Sequence, residues 1–143
     1  REMDGGVREV SIIIKRDHDF FGETFRAGTR MYLRRAIEGE DPCRYPWSAE
    51  LAEEHKISGH TFPAYVVLNF ETPCMKEFRL VSLFVPENPV EFEGIPIQGG
   101  SHVIFGAAGR IKKLTLDKEH TFDGVPCRGT VEFDENGKVI PAE

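Results

Sequence analysis

Apolar and polar positions alternate along this chain over short stretches, and each stretch is preceded by glycine. Met31-Tyr32-Leu33, Leu68-Asn69-Phe70, Val103-Ile104-Phe105 and Val131-Glu132-Phe133 keep apolar residues at their outer positions, the period of a half-buried strand. Upstream of them stand Gly22, Gly59, Gly94 and Gly124, and three residues beyond each glycine comes Phe25, Phe62, Ile97 or Cys127. A second glycine, at Gly28, Gly100 and Gly129, opens three of the four strands and suits a tight turn with positive φ. Phe105-Gly106-Ala107-Ala108-Gly109-Arg110 and Phe133-Asp134-Glu135-Asn136-Gly137-Lys138 read as hairpin turns. The strand expected between them is Ile111 to Leu116, rich in β-compatible residues.

The longest shared segment is Leu116 to Cys127. Leu51 to Gly59 and Ile14 to Gly22 match it through an aliphatic residue, an acid-His pair and a glycine, and Val90 to Ile97 is a looser match. The pattern predicts an all-β chain, an antiparallel meander of about four hairpin repeats with about eight or nine main strands. An extended twisted sheet is the leading arrangement, and a closed up-and-down β-barrel is the alternative. One domain is expected over residues 1–143, with units of about 7–40, 41–75, 76–110 and 111–143. The first strand, Val7 to Ile14, is apolar on both faces at Ile12-Ile13-Ile14 and is expected to be well covered. Trp47 to His55 carries a helical pattern with Ser48 as N-cap, but Leu51 to His55 coincide with strand ends elsewhere, so strand is expected to win. Lys138 to Glu143 looks like half of a fifth unit, stopped by Pro141.

The outline carried by Phe92-Glu93-Gly94, Gly100 to Phe105 and Gly109-Arg110, and again by Phe122-Asp123-Gly124, Gly129 to Phe133 and Gly137-Lys138, resembles the glycine-and-aromatic β-hairpin repeats of the MORN type. The likeness covers about half the chain. Unit length drifts, the Tyr-x-Gly opening of that family is Phe or Ile here, and the acid-His pair is an addition. The resemblance implies an elongated antiparallel sheet used for protein or lipid contacts, without catalysis, and it supplies no functional residue.

Composition changes this picture little. A hydrophobic content of 40% with 29% charged residues in 143 residues suits one ordinary globular domain. The net charge of -6 has the wrong sign for a nucleic-acid surface, and Arg34-Arg35 and Arg110-Ile111-Lys112-Lys113 read as solvated strand faces. No apolar run approaches the roughly 20 residues of a membrane-spanning helix. Arg1 to Gly6 is polar, without the apolar core of a signal peptide, which leaves location open.

Candidate chemistry is sparse. His18, His55 and His120 share one position in the pattern, each after an acid (Asp17, Glu54, Glu119), and imidazole with carboxylate could hold a metal. Stacked units, however, would set equivalent side chains roughly 10 Å apart, too far to share one ion, so a corner-forming role is expected instead. Ser101-His102 puts a hydroxyl beside an imidazole at a turn glycine, without the elbow that a serine nucleophile needs. Neither a catalytic residue nor a cofactor motif emerges. Cys127 occupies an apolar slot and is expected to be a buried, inert thiol. Cys43 and Cys74 lie in irregular loops, and a disulfide between them would place the protein outside the cytoplasm or in the periplasm; without it the reading is cytoplasmic. The loop from Ala36 to Trp47 departs most from the pattern, and Arg44, Tyr45 and Trp47 are its candidate recognition residues. These features favour a non-enzymatic binding or structural module whose partner is a protein or cell-envelope surface, with homo-oligomers through sheet edges. The alternative is a small barrel that binds a ligand or metal and has hydrolytic activity.

Overall fold

The computed structural model describes residues 9–20, 22–34, 46–70, 79–106 and 109–140. In chain order, β1 (Glu9–Ile13) leads into a hairpin of β2 (His18–Phe20) and β3 (Glu23–Phe25), then β4 (Arg30–Arg34). Next come β5 (Pro46–Glu50), the hairpin β6 (His55–Ile57) and β7 (His60–Phe62), and β8 (Val67–Phe70). The third segment is β9 (Leu80–Phe84), β10 (Val90–Phe92), β11 (Ile95–Ile97) and β12 (His102–Phe105). The fourth is β13 (Ile111–Thr115), β14 (His120–Phe122), β15 (Val125–Cys127) and β16 (Thr130–Glu132). The long strands form one 8-stranded antiparallel sheet in the order β1-β4-β5-β8-β9-β12-β13-β16, and each short pair forms its own two-stranded sheet.

This is the open meander expected from the alternation; β1 and β16 lie at opposite edges, so the closed barrel does not form. No α-helix occurs among the described residues. The helical pattern from Trp47 to His55 is divided between β5 and β6, because Ala49 and Leu51 there must meet the core at strand spacing.

The two faces of the sheet follow from the two-residue period. On one face Ile12 opposes Met31, Met31 opposes Ala49, Ala49 opposes Leu68, Leu68 opposes Leu83 and Leu83 opposes Val103. From Met31 to Val103 these side chains are fully or almost fully buried. Three of the hairpins add Phe25, Ile57, Phe62, Phe92 and Ile97 to the same apolar cluster and the fourth packs the partly buried Phe122 and Cys127 against it, which makes them the second layer. Phe62 stacks on Phe92 at 5.2 Å, and both meet Phe105 edge-on. Along the other face, Ser11, Tyr32, Ser48, Asn69, Ser82, Ile104, Lys113 and Glu132 occupy successive facing positions, a mostly polar row. Asn69 Nδ2 donates to Ser82 Oγ at 3.0 Å within it.

Turn chemistry makes the short hairpins. Ser58-Gly59, Glu93-Gly94 and Asp123-Gly124 all have positive φ at both positions, the two-residue geometry that matches strand twist. At the opposite end of the sheet, register slips once in each of the pairs β4–β5, β8–β9 and β12–β13. Tyr32 faces Ser48 but Leu33 faces Pro46, Asn69 faces Ser82 but Phe70 faces Leu80, and Ile104 faces Lys113 but Phe105 faces Ile111. Trp47, Val81 and Lys112 are the residues skipped.

Two expectations need correction. Ile12 and Ile13 are 47% and 51% exposed, because β1 is an edge strand with no described neighbour on its outer side; only Ile14 is buried. Cys127 is half-buried, not a core thiol, because β14–β15 is the last hairpin of the row and nothing described follows to cover it.

Candidate functional site

Histidines and acids lace neighbouring hairpins together. His55 opens β6 and is buried; its Nδ1 donates to the Glu53 carbonyl at 2.8 Å, and its Nε2 accepts from the Arg26 N–H at 3.0 Å. That pair of partners defines a neutral ring with its proton on Nδ1 and its other lone pair engaged. Glu23 continues the seam by accepting the Ser58 N–H at 2.9 Å. In the next seam Glu93 Oε2 accepts the Thr61 N–H at 3.0 Å, and Oε1 faces His60 Nδ1 at 3.0 Å. His60 Nε2 lies 2.7 Å from the Gly109 carbonyl, so both ring nitrogens face acceptor oxygens. Phe62, Phe92 and Phe105 surround that ring. These polar groups tie neighbouring hairpins together.

A different arrangement occurs where β8 begins. The Tyr65 N–H donates to the Leu51 carbonyl at 2.8 Å, as Gly28 does to Ile14 at 2.8 Å and Gly100 to Val85 at 2.7 Å. Tyr65 therefore sits in the glycine slot, and it takes the glycine conformation, with φ +67 against +98 and +79. A side chain there costs roughly 1–2 kcal/mol through contact of Cβ with the backbone. The phenol gains little in return, since Tyr65 is 69% exposed. It borders a depression of about 180 Å³ shared with Ile13, Gly28, Arg30, Glu50, Leu51 and Ala52. Arg30 Nε approaches Glu50 Oε1 at 3.9 Å, Arg30 Nη1 donates to Ser11 Oγ at 3.1 Å, and the Tyr32 hydroxyl reaches Glu50 at 3.5 Å. The Arg30 and Glu50 side chains are about 40% exposed, so their attraction is screened and both remain open to a partner. An apolar side chain, an aromatic ring and one charge of each sign thus share one small surface.

A second cleft, of about 390 Å³, lies between two turns of the same design at Gly106–Arg110 and Asp134–Lys138. Ile111, Lys112, Phe133 and Glu135 line it, and Arg110 Nη1 donates to the Glu135 carbonyl at 2.6 Å. Asp134 caps its own turn by accepting from the Asn136 and Lys138 N–H groups at 2.8 and 3.0 Å. Its carboxyl lies below the usual range, chiefly through the Lys138 N–H bond, against the opposing effect of desolvation and with the Asn136 N–H adding to the lowering.

The residues singled out from sequence fall as follows. His18, His55 and His120 sit on three separate hairpins, each at the first position of its leading strand, opposite Phe25, Phe62 and Cys127. His120 packs edge-on to Phe122 at 4.8 Å. No group of three or more His, Cys, Asp or Glu side chains that could hold a metal ion occurs among the described residues. The Ser101 hydroxyl donates to the Gln98 carbonyl at 2.6 Å, whereas the His102 ring lies against Phe84 at 4.9 Å, so the two serve different neighbours. Arg44, Tyr45, Cys43 and Cys74 lie outside the described residues, and Trp47 is placed by its backbone, at the β5 bulge. Tyr65, Ile13, Arg30 and Glu50 were not singled out from sequence. The signal for Tyr65 was present, since it stands six residues after Gly59, where Gly28 and Gly100 stand six after Gly22 and Gly94. Among the described residues no helix is long and apolar enough to cross a membrane. No protein-family model, curated protein or solved structure matches the chain.

Proposed function

We propose that the chain is a non-enzymatic β-repeat module that binds a protein or cell-envelope partner through the sheet end carrying Ile13, Arg30, Glu50 and Tyr65. Tyr65 carries this reading: a solvent-facing aromatic is kept in a left-handed conformation that glycine would adopt without strain. Tyrosine contributes much contact area for little lost rotamer freedom, and arginine beside it is the other residue type favoured at contact centres. The fourfold strand-hairpin-strand pattern and its MORN-type outline support the scaffold role, with one domain built of similar units. The histidines and serines considered for chemistry are engaged with backbone or aromatic neighbours, which weighs against a hydrolytic reading.

Site-specific photo-crosslinking tests this. A photoreactive side chain at position 65 should give a discrete adduct in extracts of the source cells, and the same group at exposed Lys118 should not. Equal labelling from both positions, or none from position 65, would remove the basis for the assignment.

A further inference from the structure

The outer edge of β1 has a defined hydrogen-bonding direction. The Ile14 N–H donates to Thr29 and the Ile14 carbonyl accepts from Gly28, at 3.0 and 2.8 Å, so residue 14 faces β4. Antiparallel alternation then turns Ile12 inward as well, and aims the N–H and C=O groups of Ser11 and Ile13 away from the sheet. Among the described residues nothing pairs with them. The same short strand exposes two adjacent isoleucines, Ile12 at 47% and Ile13 at 51%. Its described span has no proline and no bulge.

The opposite edge is treated differently. Phe133 bridges to Val139, and the Ile140 N–H donates to the Glu132 carbonyl at 2.9 Å, so the following chain folds over β16. A head-to-tail contact of β1 with β16 of another copy would therefore have to displace this segment at Glu132 and Phe133. A symmetric contact displaces no described segment, because β1 can meet itself.

We infer that two copies of this chain associate by antiparallel pairing of β1 with β1, about a two-fold axis at Ile12, joining their sheets into one. In this register Ser11 faces Ile13 of the second copy, and the outward groups of both meet in hydrogen-bonded pairs. Ile12 faces its own counterpart, and the strand is flanked in sequence by opposite charges at positions 9 and 15, which antiparallel pairing brings toward each other. Moving the axis to Ser11 would set Ile13 opposite the glutamate instead, and a slip of one residue would put each side chain on the wrong face. Charge complementarity and face matching thus select one register. The contact is short, so it is a concentration-dependent one.

The test is the molecular mass of the intact chain by sedimentation, combined with disulfide trapping. The wild type should pass from one chain to two as its concentration rises from micromolar to millimolar. Ile13→Lys, a charge on the exposed edge, should remain a single chain with unchanged thermal unfolding at dilution. At Ile12 the pair is non-hydrogen-bonded, with Cα atoms about 4.5 Å apart, within disulfide reach. With Cys43, Cys74 and Cys127 replaced by serine, Ile12→Cys should therefore cross-link at least tenfold faster than Ser11→Cys. If the serine background unfolds, spin labels at Ile12 in the dimer give the same distance information. A single-chain mass throughout the range, an Ile13→Lys protein that still pairs, or equal cross-linking at both positions would overturn the proposal. Tyr65→Gly should leave the mass unchanged, so failure of the Tyr65 reading and failure of this one are told apart.

Discussion

At the scale of single residues, conformation decides more than chemistry does. Replacing Tyr65 with glycine should raise stability by about 1 kcal/mol, because the left-handed backbone is native to glycine and the exposed ring loses little packing. Chemical denaturation at constant protein concentration checks this, and a loss of stability would mean that the ring packs more than its exposure indicates. Asp134 has a definite pH signature. Its folded-state carboxyl is lowered from 3.8, chiefly by the Lys138 N–H. Its contribution to stability is therefore present above the unfolded-state value and lost as pH falls through the lower folded-state value. Asp134→Asn should flatten that acid limb and lower stability at neutral pH by the contribution the carboxylate makes there, as read from unfolding curves from acid to neutral pH. Much at this scale was legible beforehand: the slots of Gly22, Gly59, Gly94 and Gly124 were visible because positive φ leaves a compositional trace. The exposure of Ile12, Ile13 and Cys127 was not, since an apolar side chain reads alike in sequence whether or not a neighbour covers it.

At the scale of elements, the short hairpins are held sideways by a few polar contacts over an apolar layer. Glu93 is the clearest, tying the β10–β11 turn to Thr61 and His60 of β7. Glu93→Ala should cost about 1 kcal/mol, the net worth of a partly exposed charge-assisted bond, while its exposed neighbour Glu91→Ala should cost almost nothing. Urea midpoints of the two variants compare them directly. The approach to β12 is tighter. A Cβ on Gly99 would lie 2.1 Å from the Glu87 carbonyl oxygen, a backbone atom that cannot swing aside. Gly99→Ala should therefore destabilise by at least about 2 kcal/mol, whereas serine at solvent-facing Gln98 should be nearly neutral. The strands could be read from alternation, but the lateral seams could not. Glu93 and His60 are 33 residues apart, and no local pattern links two side chains that meet only after both hairpins have folded onto one sheet.

At the scale of the whole molecule, an open meander grades stability from its middle to its edges. β5, β8, β9 and β12 have neighbours on both sides, and the Phe62, Phe92 and Phe105 cluster lies beneath them. β1 has one neighbour and exposes Ile12 and Ile13. At micromolar concentration, amide exchange should be slowest in β8 and β9, and the outward amides of Ser11 and Ile13 should exchange at least about a hundredfold faster. Protection of those two amides equal to that of β8 at dilution would mean that the edge is covered within one chain. The same gradient locates the functional reading. The proposed binding surface and the proposed pairing edge both lie at the first-strand end of the molecule.

Sequence alone determined the all-β class, the meander, the turn positions and the strand faces, because each rests on a short-range cause: a two-residue period, or a backbone torsion that glycine tolerates. Tertiary structure alone decided that the sheet stays open, that His55 and His60 are structural ties, and that Ile13, Arg30, Glu50 and Tyr65 share one surface. Those outcomes depend on which strands become neighbours, and they bring together residues as far apart as positions 13 and 65. Closure is set by twist accumulated over all eight strands, and no stretch of sequence carries that sum.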